Sequence, residues 1–314
     1  MNCLVTGAAG FIGSHLSRQL LANGHVVTGL DCFTDFYPRW IKERNVASLV
    51  TDKNFTFWPR NILDLEPGKA LRGIDVVFHL AAQAGVRTSW GDHFSVYIQN
   101  NIWATQRLLE EAKSASLRKF IYASSSSVYG LTPTLPMSEN AIVRPLSPYG
   151  VTKLAAEQLC FLYYKSYEIP AVSLRFFTVY GPGQRPDMAF HRFFKAIAEG
   201  KPITVYGDGT QTRDFTYVDD IIDACFQATE RGRPGEVYNI GGGHRERLDN
   251  LLPLLEAICG KNLTVVREEK QKGDVLHTLA DIAKSKDELG YAPRTAIEDG
   301  LREEWNWVRG LYGF

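Results

Sequence analysis

The chain's first apolar run, Asn2–Thr6, opens into Gly7-Ala-Ala-Gly10-Phe-Ile-Gly13, and helical spacing starts at Phe11. No other feature restricts the fold so tightly, because each glycine answers a separate steric demand. One permits a sharp turn, one lets backbone approach a phosphate, and one brings helix against strand. A helix opening at Phe11 and Ile12 aims its unpaired N–H groups and the positive end of its dipole at whatever lies above the strand. Asp31 closes the next apolar strand, Val26–Leu30, where a carboxylate accepts hydrogen bonds from an adenosine ribose diol. Strand, glycines, helix, strand and acid in this order point to a dinucleotide site. The acid selects NAD, since it repels a 2′-phosphate.

Beyond this unit, short apolar runs alternate with helical patterns. Strands are expected near 2–6, 26–31, 55–58, 75–80, 118–123 and 171–176, and helices near 11–23, 95–115 and 147–168. Parallel strands need such crossovers, so the expected fold is α/β, a doubly wound parallel Rossmann sheet. Ligands of these sheets sit beyond the carboxyl ends of the strands. Four polar or turn-rich stretches follow strands there: 6–13, 81–87, 124–130 and 178–185. After residue 176 the pattern breaks into Gly/Pro-rich loops and isolated strands such as 202–206. The reading is therefore a dinucleotide-binding domain over 1–176, rejoined by about 214–240 through a helix and the strand 236–240. A smaller C-terminal substrate-binding lobe occupies 177–314.

Composition excludes several classes of function. Lysines and arginines balance aspartates and glutamates at a formal net charge of zero, which leaves no electrostatic case for nucleic acid or an anionic membrane. The amino terminus enters a strand at once, and no apolar run is long enough to span a bilayer, so a cytoplasmic protein is expected. Five scattered cysteines without a Cys-x-x-Cys pair suit reduced, buried thiols. With no metal spacing among the seven histidines, no metal is expected.

Three groups of residues carry chemistry. Tyr149 and Lys153 open a long helical pattern four residues apart, so phenol and ammonium can share one face. A nearby ammonium and a nicotinamide cation would both lower the phenol pKa towards use as a base. Ser124, Ser125, Ser126 and Ser127 end an apolar strand and can donate hydrogen bonds without net charge, though a polar turn could instead spend them on its own backbone. Arg87, Arg185 and Arg213 fall in ligand-side loops, and their guanidinium forks suit either a pyrophosphate or a carboxylate.

Several segments together resemble the extended short-chain dehydrogenase/reductase superfamily. They are Thr-Gly-Ala-Ala-Gly-Phe-Ile-Gly (6–13), His-Leu-Ala-Ala-Gln-Ala-Gly-Val-Arg (79–87), Ala-Ser-Ser-Ser-Ser-Val-Tyr-Gly (123–130), Tyr-Gly-Val-Thr-Lys (149–153) and Leu-Arg-Phe-Phe-Thr-Val-Tyr-Gly-Pro (174–182). More narrowly the chain is similar to nucleotide-sugar 4-epimerases, through Tyr206–Phe215 to Gly-Asp-Val (273–275). The resemblance implies Tyr149 as catalytic base, Lys153 as its tuner and a ribose ligand, and Ser125 as the hydroxyl on the reacting oxygen. It places Asp31 on the adenosine ribose and Asp64 on the adenine amino group. Leu80, Ala81, Ala82, Gln83, Asn101 and Phe176 would line the cofactor. Arg213 would bind the diphosphate and Asp274 the uridine ribose, with Arg87 and Tyr206 also on the substrate.

One position separates subgroups. Thr178 stands where UDP-galactose 4-epimerases usually carry Asn, and the run 175–188 resembles UDP-glucuronate 4-epimerases, in which Thr and Ser hydroxyls and an arginine receive the sugar carboxylate. On that likeness Ser125, Ser126, Ser127, Thr178 and Arg185 would hold a uronate. The substrate is then UDP-glucuronate, interconverted with UDP-galacturonate through a transient 4-keto sugar. A neutral hydroxymethyl would leave the Arg185 guanidinium unpaired, at a cost of about 1–3 kcal/mol. The alternatives are a 4-epimerase of UDP-glucose or UDP-N-acetylglucosamine and, further off, an NAD-dependent oxidoreductase or a cofactor-sensing binding module. Ser126-Ser127 replace the acids that related dehydratases and decarboxylases need there. The family also pairs the helices 95–115 and 147–168 into a homodimer, and both carry apolar residues on more than one face, among them Ile102, Trp103, Leu108, Leu109, Leu159, Phe161, Leu162 and Tyr163.

Overall fold

The computed structural model describes residues 1–314 except 133, 270 and 272. The strands of its first half are β1 (Asn2–Thr6), β2 (Val26–Leu30), β3 (Phe55–Trp58), β4 (Val76–His79), β5 (Lys119–Ser125) and β6 (Ala171–Phe176). There follow β7 (Thr178–Tyr180), β8 (Ile203–Tyr206), β9 (Thr212–Arg213), β10 (Phe215–Tyr217), β11 (Val237–Ile240), β12 (Glu246–Arg247) and β13 (Val265–Glu268). Seven of them form one parallel sheet in the spatial order β3-β2-β1-β4-β5-β6-β11. The chain winds outwards from β1 to β3, then crosses over and winds the other way from β4. This is the expected doubly wound α/β sheet, and its strand ends open a crevice at the switch between β1 and β4.

Alternate strand residues feed opposite cores, as the two-residue period of a strand requires. Leu4 packs with Val77, Phe120 and Tyr122 on one face. Cys3 and Val5 pack with Phe78, Ile121, Val172 and Leu174 on the other. Every residue of β6 is buried, the state of a central strand covered on both sides. The helices are α1 (Phe11–Ala22), α2 (Arg39–Ala47), α3 (Phe94–Tyr97), α4 (Ala104–Ala112), α5 (Pro148–Tyr167), α6 (Ala189–Ala198), α7 (Val218–Arg231), α8 (Leu248–Cys259) and α9 (Ile297–Tyr312). Apolar residues of α1 and α7 join the Cys3–Val5 face, and those of α4 and α5 join the Leu4 face. A third core, away from the sheet, unites Phe190 and Phe194 of α6, Val205 of β8, Leu255 of α8, and Leu301 and Trp305 of α9. Among the described residues no helix is long and apolar enough to cross a membrane.

Three local features depart from the sequence expectation. Helix α2 was not anticipated, because its segment is mostly polar and buries only Ile41, Lys42, Asn45 and Val46. The helix expected over 95–115 is interrupted: α3 passes into a π-helical stretch, Ile98–Trp103, before α4. That widened turn carries Asn101, whose Oδ1 accepts from the Gln83 N–H at 2.7 Å. Its Nδ2 donates to the Gln83 carbonyl at 3.0 Å and to Thr152 Oγ1 at 2.9 Å. A π-bulge of this kind is common beside functional loops. Finally β7 continues the chain just past β6 and pairs in parallel with β10, which carries the chain away from the sheet immediately beyond the crevice.

Candidate active site

At the β1 end of the crevice, backbone meets backbone. Gly7 has φ +71°, and a Cβ there would lie 2.9 Å from the Ala81 nitrogen, while one on Gly13 would lie 2.1 Å from the Gly7 carbonyl oxygen. Side chains at either position would push β1, α1 and the loop after β4 apart. Helix α1 starts after Gly10 with no side-chain cap and no acid in its first turn. Gly7, Gly10, Phe11, Ile12 and Gly13 line the cavity, so the helix presents uncapped N–H groups to an anion. Asp31, at the end of β2, accepts from the Ala9 N–H at 3.1 Å and the Phe33 N–H at 2.8 Å. Burial pushes its pKa up, and these two bonds and the nearby Lys42 pull it down. A carboxylate has about four lone-pair sites, so two remain for a diol. The set fits the pyrophosphate and adenosine ribose of a dinucleotide.

Leu80, Ala81, Ala82, Gln83 and Phe176 line the same cavity, as expected of a cofactor wall. Two expected residues do not reach it. Asn101 is buried at 1% exposure and acts behind the wall, holding the Gln83 loop against Thr152 of α5. Asp64 ends the short helical turn Ile62–Asp64 and is exposed. The wall there is made by Asn61 and Ile62, so the position carried over from the resemblance falls on the exposed side of the turn. Lys42 also lines the cavity and was missed. Its Nζ donates to the Thr34 carbonyl at 2.6 Å, and the only signal for it lay in the unrecognised α2.

The reacting centre is assembled from β5 and α5. The four serines divide. All four line the cavity, but the Ser124 hydroxyl is spent inward, donating to Glu157 Oε2 at 2.6 Å, which leaves Ser125, Ser126 and Ser127 for a ligand. Ser125 Oγ accepts from the Ser127 N–H at 3.1 Å, which leaves its own proton to donate. Ser147 Oγ caps α5 by accepting from the Gly150 N–H at 3.1 Å, with Pro148 in the first turn, a favoured helix start. Tyr149 and Lys153 therefore stand on the cavity wall, one turn apart.

Their electrostatics differ from the expectation. Burial raises the Tyr149 phenol pKa, opposed by the Ser125 hydroxyl and the Arg185 guanidinium. Lys153 is not among the groups that lower it. Burial brings Lys153 itself down to about 7, opposed by Cys160 and Glu157, and its Nζ rests 4.5 Å from the centre of the Tyr122 ring. The protein without ligands therefore holds a neutral phenol, and the further lowering must come with a bound cation.

Beneath this centre lies a buried network that local sequence patterns did not reveal. Arg175 Nε and Nη2 donate to Glu157 Oε2 and Oε1 at 3.0 and 2.6 Å, and Arg175 Nη1 donates to Tyr129 Oη at 2.9 Å. The pair ties β6 to α5 one turn below Lys153. Glu157→Ala leaves the Arg175 charge uncompensated, and a loss of about 3–5 kcal/mol is expected, measurable as a lowered urea midpoint.

At the opposite end four expected residues converge. Arg87 Nη2 donates to Asp274 Oδ2 at 2.7 Å, and its guanidinium lies 4.1 Å from the Tyr206 ring centre. Arg213 Nη1 donates to the carbonyls of Thr212 and Leu276 at 3.0 and 3.1 Å. Burial lowers the Arg213 pKa, opposed by Asp274. Thr178 and Arg185 line the same cavity. One feature overturns an expectation: the Arg185 fork already holds a carboxylate, with Nε and Nη2 each donating to Asp187 at 3.0 Å. A neutral substrate would not leave this guanidinium unpaired. The whole cavity measures about 760 Å³, within the usual range of ligand pockets.

Comparison with known proteins places these features in context. Residues 3–241 match the model of the NAD dependent epimerase/dehydratase family. The UDP-glucuronic acid 4-epimerase from Bacillus cereus, solved in complex with UDP-glucuronic acid and NAD, is similar throughout. It is 49% identical with a TM-score of 0.97, covering 99% of this chain and 100% of that one. An uncharacterized UDP-glucose epimerase of Bacillus subtilis, YtcB, is 48% identical, covering 99% of both chains. The UDP-glucuronate 4-epimerase of Thermodesulfobacterium geofontis is 41% identical, covering 98% of this chain and 95% of its own.

Proposed function

The chain belongs to the NAD dependent epimerase/dehydratase family, and on that premise we propose that it interconverts UDP-glucuronate and UDP-galacturonate by inverting C4 of the sugar. The observation that carries this reading is that the Arg185 fork and the Tyr149 phenol line one cavity with Ser125, Ser126, Ser127 and Thr178. A cation beside the base suits a ring whose C4 oxygen and C5 carboxylate are neighbours. The α1 N–H groups, Asp31, the wall from Leu80 to Gln83, and Phe176 would hold NAD, with Asn61 at the adenine end in place of Asp64.

When bound, NAD supplies the acceptor and then the donor of the C4 hydride. Tyr149 removes the C4 hydroxyl proton as the alcohol is oxidised and returns it when the ketone is reduced. Lys153 would bind the cofactor ribose, and the phenol pKa would fall with the positive charge that the nicotinamide cation adds. Ser125 donates to the C4 oxygen. Arg213 binds the diphosphate and Asp274 the uridine ribose, with Arg87 and Tyr206 closing that end. Between the two half-reactions the ketone turns over, so that hydride returns to its other face. This intermediate is a β-keto acid, and it loses CO₂ when the carboxylate bond aligns with the carbonyl π-system. Arg185, Ser126, Ser127 and Thr178 therefore grip the carboxylate in another orientation.

Purified protein is expected to carry NAD that is released on denaturation and to turn over with none added. Stoichiometric consumption of added cofactor would instead indicate a net oxidoreductase. A UDP-glucose 4-epimerase remains the second reading, favoured by the Asp187 carboxylate that keeps Arg185 paired when the sugar is neutral.

We further propose a homodimer through the segment 95–115, which runs from α3 through the π-helical stretch to α4, and through α5. Leu108, Leu109 and Tyr163 are buried within the protomer, but Trp103, Phe161 and Leu162 are 55%, 46% and 52% exposed, as are Ile98 and Val151 at 41% and 47%. Apolar patches of this kind mark association surfaces. Light scattering at micromolar concentration should give twice the chain mass, and Leu162→Glu with Trp103→Glu should halve it. A wild-type protomer mass would contradict the dimer.

A further inference from the structure

We propose that Asp187 sets the sugar selectivity of the site by exchanging with the substrate's carboxylate on the Arg185 guanidinium. The inference rests on the reading of Arg185 as the uronate receptor and adds a residue that acts through it. Arg185 and Asp187 are separated by one proline, and both line the cavity. Their contact is two-pronged, Nε to Oδ1 and Nη2 to Oδ2, both at 3.0 Å. Among the described residues neither side chain makes any other hydrogen bond, so either can turn without breaking a second one. The two differ in access to water: the Arg185 side chain is 23% exposed and that of Asp187 36%. Asp187 can therefore swing out to solvent while the guanidinium stays inside, 5.8 Å from the Phe36 ring centre.

Two consequences follow from charge. A uronate carboxylate entering the fork meets an ionised Asp187 on the same guanidinium, and two like charges at that spacing repel. The uronate then binds only as Asp187 turns away, and part of its attraction to Arg185 is spent displacing an internal rival. A neutral hydroxymethyl displaces nothing, since Asp187 remains in the fork and no buried cation is stranded. Asp187 thus narrows the preference for charged over neutral sugars that Arg185 alone would impose. It is a positioning residue, acting through the orientation and pairing of Arg185.

The test compares kcat/KM for UDP-glucuronate and for UDP-glucose in the wild type, Asp187→Asn, Asp187→Ala, Arg185→Gln and the double variant Arg185→Gln/Asp187→Asn. Each purified protein retains its own cofactor. Both Asp187 variants are expected to raise the uronate-to-glucose ratio by about tenfold, the scale of one charge-assisted hydrogen bond, with KM for UDP-glucuronate falling. In the Arg185→Gln background the Asp187 substitution should leave the ratio unchanged. A role confined to loop structure would lower both substrates together, and that outcome overturns the proposal. If the Asp187 variants keep the wild-type ratio while Arg185→Gln abolishes it, the exchange is wrong and the uronate reading stands. If Arg185→Gln itself leaves the ratio unaltered, the assignment of Arg185 fails and the exchange fails with it.

Discussion

Replacing Tyr149 with phenylalanine should abolish turnover while leaving the fold and the bound NAD unchanged. The substitution removes one oxygen from a residue whose ring is anchored by the start of α5 and by an edge contact with Tyr97, at 6.3 Å between centres. Stability should barely move. The proton of the C4 hydroxyl then has no acceptor, and neighbours do not substitute. The Ser125 hydroxyl is far too weakly acidic to serve as base, and Lys153 sits on Tyr122. Loss of a general base costs about 10²–10⁴-fold, and here the same group serves both half-reactions. Steady-state rates with UDP-glucuronate check this, with circular dichroism and released NAD as controls. Wild-type-like activity would remove Tyr149 from the mechanism.

Arg185→Ala has the second largest expected effect, and it is of a different kind. The loss of charge-assisted donors should lower kcat/KM for UDP-glucuronate by about 10–100-fold. The more diagnostic change is in the product. A 4-keto uronate whose carboxylate is no longer held can rotate until its bond to C5 lies along the carbonyl π-system. The C5–carboxylate bond then breaks, its electron pair forms an enolate, and a proton from water restores C5. Released CO₂ and a UDP-linked ketopentose should appear in the variant and not in the wild type. The Tyr149 phenol also loses a cation that lowers its pKa, so the remaining activity should shift to higher pH. Clean epimerisation with no CO₂ would show that Arg185 does not restrain the carboxylate.

The parts of this molecule that were legible in its sequence are those set by local geometry. A glycine that must take φ +71°, and another whose Cβ would strike a carbonyl, leave a signature whatever the rest of the chain does. The same holds for fully buried strands such as β6 and for the Ser147-Pro148 start of α5. The doubly wound sheet followed from these. Features that depend on which distant residue answers which were not legible. Glu157 carries no local signal of burial, yet it accepts from Arg175 and Ser124 in the core. The π-helical stretch carries Asn101, whose amide pairs with the Gln83 loop, a partner written elsewhere in the chain. Asp64 came from the resemblance, and the three-residue turn that ends on it leaves Asn61 and Ile62 on the cavity wall. Asp187 has no signature of its own in the sequence, since its role depends on the cavity wall and the hydrogen bonds it shares with Arg185.

The central claim is that the sugar carries a carboxylate at C5. Purified protein incubated separately with UDP-glucuronate and UDP-glucose, with C4 configuration followed by NMR, tests it most directly. The expected result is a mixture of UDP-glucuronate and UDP-galacturonate in the first tube and slower inversion in the second. Efficient inversion of UDP-glucose with UDP-glucuronate left untouched would contradict the assignment of Arg185 and Thr178 to a uronate.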